Sequence, residues 1–114
     1  MLTLEQIAQG ISREMKRLDG FVDEIRDVGD AAANAEANYK ILKAKSNLEI
    51  RASTLEKLTV DEVDSRSLIQ CEEAYLQYVI SQNRLTTTRE ALRASQSRLD
   101  GWRTLATSFR AAGG

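Results

Sequence analysis

Between Thr59 and Ala111, apolar and small residues recur in steps of three and four. Cys71, Tyr78, Leu85, Leu92, Leu99 and Ala106 stand seven apart. Ser67, Ala74, Ser81, Thr88, Ser95, Trp102 and Phe109 form a second series interleaved with the first. Two interleaved heptad series over about six heptads predict one long helix with a seam that faces another helix. Thr59-Val60-Asp61-Glu62 reads as a capping box that starts it: the threonine hydroxyl can accept from the Glu62 N–H, and the glutamate can reach back. No proline follows, and the next glycine is Gly101.

The first half of the chain carries the same period less evenly. Thr3-Leu4-Glu5-Gln6 is another capping box. Behind it Leu4, Ile7, Ile11, Met15 and Leu18 predict a short amphipathic helix that Asp19-Gly20 ends or kinks. Phe21, Val22, Ile25 and Val28 extend an apolar face to Gly29-Asp30, read as a C-cap followed by an N-cap. Residues 1–30 are therefore expected as a separate N-terminal helical segment. Ala31–Leu58 is expected as a second helix with Ala37, Ile41, Ala44, Leu48, Ala52 and Leu55 on its inner stripe. Tyr39, Leu42, Ile50 and Leu58 then lie off that stripe, toward an additional partner. A short loop near Leu58–Thr59 makes the last two helices antiparallel neighbours, with positions i and about 117 − i side by side. Ala111 to Gly114 reads as a flexible tail. The fold class is all-α: a long, coiled-coil-like antiparallel hairpin over 31–114 preceded by the shorter segment.

Composition agrees with that reading. Ala, Glu, Lys, Leu and Arg supply 53 of 114 residues and there is no proline, which disfavours a β fold. A helix of about 50 residues is roughly 75 Å long and has to lie along another helix. A two-helix hairpin covers one stripe of each arm. A homo-oligomer is therefore expected, joined through Tyr78, Leu85, Leu92, Leu99, Trp102, Phe109 and the apolar residues of the N-terminal segment.

The net charge is −1, yet the signs are unevenly spread. Residues 1–30 hold four basic against seven acidic residues. Residues 74–114 hold Arg84, Arg89, Arg93, Arg98, Arg103 and Arg110 against Glu90 and Asp100, with no lysine. Arginine binds phosphate through two N–H groups and stacks on bases, so this row is the candidate nucleic-acid-binding set. Tyr78 and Trp102 are possible stacking platforms. The competing reading is a solvated helix face with Trp102 buried. Lys40, Lys43, Lys45 and Arg51 form a second basic group. The pairing rule sets Lys40 and Lys45 beside Glu72 and Glu73, so ion pairs within the chain are expected there.

Other chemistry is sparse. One cysteine and no histidine leave no disulfide and no zinc site, and Cys71 falls on the seam as a structural thiol. There is no phosphate-cradling glycine loop, no Ser/His/Asp grouping and no clustered carboxylate metal site; Glu72-Glu73 reads as an exposed acidic pair. No enzyme, cofactor, metal or small-molecule substrate is expected. No secretory signal or membrane-spanning run is visible, so the default expectation is a cytoplasmic protein.

Three blocks carry a family likeness: Tyr39-Lys40-Ile41-Leu42 through Leu48-Glu49-Ile50-Arg51-Ala52, then Thr59-Val60-Asp61-Glu62-Val63-Asp64, then Glu73-Ala74-Tyr75-Leu76-Gln77-Tyr78 with the Leu85 and Leu92 heptads. Over residues 39–110 this layout resembles small helical proteins of tailed-phage recombination modules, most of all the UvsY-type recombination mediators. The resemblance implies a ring-forming helical protein that binds single-stranded DNA and helps load a RecA-like recombinase. The net charge of −1 departs from that pattern, and no individual binding residue is carried over from it. The alternative is a structural or adaptor coiled-coil protein, such as a phage assembly chaperone or connector component. A secreted hairpin of the WXG type fits less well, because Gly101-Trp102 lies near the C-terminus and not in the turn.

Overall fold

The structure, a computed structural model, describes residues 1–113. It is all-α: α1 spans Leu4–Ser53, α2 Val60–Gln70 and α3 Glu72–Ala111. The chain is 89% helical, has no strand among the described residues, and packs α1 against α3 as a hairpin. Among the described residues no helix is long and apolar enough to cross a membrane.

The N-terminal segment and the expected second helix are one helix. Residues 19–20 and 29–30 stay helical, and Gly29 does not take the left-handed backbone a C-cap needs. A mid-helix glycine costs about 0.5–1 kcal/mol. Here an unbroken inner stripe offsets that cost: Phe21, Ile25 and Val28 are half-buried and Ala32 is buried. The Thr3 capping box forms in full, with the Thr3 N–H donating to Gln6 Oε1 at 2.9 Å and the Gln6 N–H to Thr3 Oγ1 at 3.1 Å. At the other end the Ser53 and Thr54 hydroxyls donate to the Glu49 and Ile50 carbonyls, satisfying acceptors that the last turn would otherwise leave free.

The connection runs over residues 54–59, so α1 stops five residues short of Leu58. Thr59 caps α2 as the sequence suggests, its Oγ1 accepting from the Glu62 N–H at 3.2 Å. The expected single helix from Thr59 is locally distorted at Cys71 (φ −103°, ψ 18°). The backbone ladder nevertheless crosses this point, because the Cys71 N–H donates to Ser67 and the Tyr75 N–H to Cys71, both at 2.9 Å. Of the expected tail, Gly113 takes a positive φ of 78° and donates to the Arg110 carbonyl. Gly114 lies outside the described residues.

The chain divides into two compact units. One combines residues 28–85, the other residues 1–27 with 86–114. In the 28–85 unit the core joins Tyr39 to Cys71, Ala74 and Tyr78. Tyr39 stacks on Tyr78 (centroids 5.5 Å, planes 20° apart) and meets Tyr75 edge-on at 5.3 Å. Ser46 donates to Gln70 and Ser67 to Asn47 across the two arms. These contacts settle which side of α1 faces inward, and it is not the expected one. Ala37, Ile41, Ala44, Leu48, Ala52 and Leu55 are all exposed, while Tyr39, Ser46 and Ile50 are buried. Both stripes repeat in steps of three and four, so periodicity alone leaves two sides open. The inner stripe is the direct continuation of Ile11, Leu18, Ile25 and Ala32, a continuity hidden once a break is assumed at Gly29.

Candidate nucleic-acid interface

The seam of α3 follows the expected series. Leu85, Thr88, Ser95, Leu99 and Ala106 are buried, and Ser81, Leu92, Trp102 and Phe109 are half-buried. Its partner is α1 of the same chain: Ser95 and Arg98 reach Glu14, and Trp102 lies over Gly10. The seam assigned to oligomer contacts is thus occupied within the hairpin. Tyr78, one proposed stacking platform, is engaged with Tyr39 and Tyr75. Trp102, the other, rests on α1 so closely that a Cβ added at Gly10 would come within 2.6 Å of its Cζ2.

All six arginines are exposed, but they do not share one face. Residues seven or fourteen apart on a heptad helix lie on the same side. Arg89, Arg103 and Arg110 therefore line one edge of the seam, with Arg93 one turn beyond Arg89 toward the outside. Arg84 and Arg98 line the opposite edge. Arg98 is committed, its Nε donating to Glu14 Oε1 at 3.0 Å. Among the described residues no carboxylate lies within ion-pair distance of Arg89, Arg93, Arg103 or Arg110. These four form the free cationic edge of α3.

Glu14 has no counterpart among the sequence candidates. Only 3% exposed, it sits on the inner stripe between Ile7 and Phe21, seven residues from each. Ser95 Oγ donates to its Oε2 at 2.9 Å, and Arg98 and Arg17 donate to Oε1 at 3.0 and 2.8 Å. Burial pushes its carboxyl up. The hydrogen bonds from Ser95 and Arg98, with the charges of Arg98 and Arg17, outweigh burial and hold it below its ordinary value. The heptad count Ile7, Glu14, Phe21, Val28 marks this position in the sequence, but only as a polar residue in an apolar series.

The antiparallel arrangement also changes the charge picture. The basic end of α3 belongs to the same unit as the acidic start of α1. That unit carries nine basic and eight acidic residues, so it is close to neutral as a whole. In the other unit Lys40 pairs along its own helix with Glu36 at 2.8 Å, which raises its ammonium pKa, and not across to Glu72 or Glu73. Lys43 reaches Asp64 at 4.0 Å. Among the described residues no cluster of His, Cys, Asp or Glu is placed to hold a metal ion. Comparison with protein-family models, curated proteins and solved structures finds no match to this chain.

Proposed function

We propose that this protein is a single-stranded-DNA-binding accessory protein of the recombination-mediator kind, acting without catalysis and helping a RecA-like recombinase onto its strand. The observation that carries the reading is the row Arg89, Arg93, Arg103 and Arg110. It is exposed, unpaired among the described residues, and arranged along one helix edge. A heptad advances about 10 Å along an axis, so the row offers guanidinium groups at intervals along a flexible phosphate chain. Four charges per copy bind weakly, and several copies on one strand convert weak contacts into avidity. Arg84 is a peripheral contributor on the far edge. Arg98 serves the fold through Glu14.

The test is a titration with a fluorescent oligodeoxythymidine at several salt concentrations. Affinity falls with salt by roughly 0.7 log units per log of salt for each phosphate neutralised. The triple variant Arg89→Gln, Arg93→Gln, Arg103→Gln flattens that slope while its helicity stays unchanged. Absence of binding by the wild type at low salt removes the reading. The second reading, a coiled-coil adaptor or assembly component, then leads. It is favoured by the apolar side chains that the 28–85 unit turns outward.

A further inference from the structure

In the 28–85 unit each arm presents an apolar stripe on the side away from the seam. On α1 it is Ala37, Ile41, Ala44, Leu48 and Ala52, with Leu48 70% exposed. On α2 and α3 it is Ile69, Leu76 and Ile80, with Ile69 75% and Leu76 50% exposed. The spacing of seven and four sets these three on one face across the Cys71 distortion, where the helical ladder is intact. Beside them Leu68, Ile69, Glu72, Tyr75 and Leu76 enclose a largely apolar depression of about 350 Å³.

The charges interleaved with the two stripes are opposite. Lys45 lies four residues after Ile41 and three before Leu48, and Arg51 three after Leu48, which puts both bases on the α1 face, where Glu49, three before Ala52, is the one acid beside them. Neither base has an ion-pair partner among the described residues. On the other face Glu72 and Glu73 flank Leu76, and Glu62 stands seven before Ile69, three acids against two bases, Arg66 and the Arg84 that lies four after Ile80. We infer that these two faces bind each other between copies: the basic apolar face of α1 from one copy docks on the acidic apolar face of α2–α3 of the next.

Charge supports a second copy as the occupant: the basic stripe and the acidic stripe are both carried by this chain, so each finds its complement on another copy. Because the two faces differ, the contact is heterologous. The pair then keeps one free face of each kind for further neighbours, and assembly proceeds beyond a dimer.

The experiment uses the full chain without nucleic acid, so its outcome is independent of DNA binding. Light-scattering mass is read at micromolar concentration for the wild type, for Leu48→Asp and for Leu76→Asp. Both leucines are exposed, and circular dichroism confirms that helicity is kept. The wild type is larger than a dimer, and each variant alone shows the mass of one copy. Equimolar mixing of the two variants yields a 1:1 complex through the pair of undamaged faces. Raising salt lowers the wild-type mass, since the interleaved charges are screened. A monomeric wild type, or a wild-type assembly unaffected by both substitutions, overturns the inference. So does a mixture in which the two variants ignore each other.

Discussion

A buried glutamate in a helix seam is costly unless its oxygens are satisfied, and Glu14 has three donors. It can meet Ser95 and Arg98 in one alignment of α1 against α3 only, which makes it a register pin for its unit. Its pH behaviour follows from the lowered carboxyl value. The stabilisation is full above the unfolded value near 4.5 and is lost as pH falls through the lower folded value. Glu14→Gln should therefore melt below the wild type at pH 7, and the gap between the two melting temperatures should close as the solution is made acidic. A gap that stays constant with pH would show that charge plays no part. Gly10 makes the complementary point about size. Gly10→Ala gains about 1 kcal/mol of helix propensity but drives a methyl into the Trp102 ring, and overpacking costs about 1–3 kcal/mol. The expected result is a lower melting temperature with a shifted tryptophan emission; an unchanged emission would mean that the ring does not rest there.

For the helices themselves, continuity is decided by packing more than by local signals. α1 passes through Gly20 and Gly29, where nothing lies within 4 Å of an added Cβ. Gly20→Ala should thus stabilise by about 0.5–1 kcal/mol, the opposite of Gly10→Ala, because propensity is gained and nothing is displaced. Chemical denaturation of the two variants side by side checks the sign of each. Within α3, Leu99 is buried against its own α1, so Leu99→Ala should cost about 2–5 kcal/mol in the same measurement. Leu92 is only half-buried and should lose less on the same truncation. Equal losses would mean that the two positions share one environment.

At the scale of the whole chain, antiparallel pairing decides what the charge asymmetry is worth. Read linearly, the chain has an acidic head and a basic tail. Folded, residues 1–27 and 86–114 share a unit with nine positive and eight negative side chains. On the proposed function, a polyanion would then meet a nearly neutral unit through the unpaired arginine row of α3. Nucleic-acid affinity should accordingly fall with Arg89→Gln, Arg93→Gln and Arg103→Gln at unchanged melting temperature. Arg98→Gln should instead lower the melting temperature, since it strips Glu14 of a donor. Thermal melts and strand titrations on the same samples separate the two effects.

The sequence by itself determined the helical class, the Thr3 capping box, the Thr59 N-cap and the seam of α3. Each rests on local spacing or composition: a heptad series without proline has no competing strand reading, and a capping box closes within four residues. It also supplied the six arginines, though not their sorting into a free edge and a committed one. The tertiary structure decided three things that local chemistry leaves open. The inner face of α1 was chosen by Tyr39, Ser46 and Ile50 meeting the opposite arm, where two stripes of equal period competed. The bridging of Gly29 followed from an apolar stripe that continues on both sides of it, a gain larger than the propensity lost. Glu14 acquired its role from residues more than eighty positions away. A carboxylate in a heptad series carries no mark of what it will face, because its partner is set by the alignment of two helices and not by its neighbours in the chain.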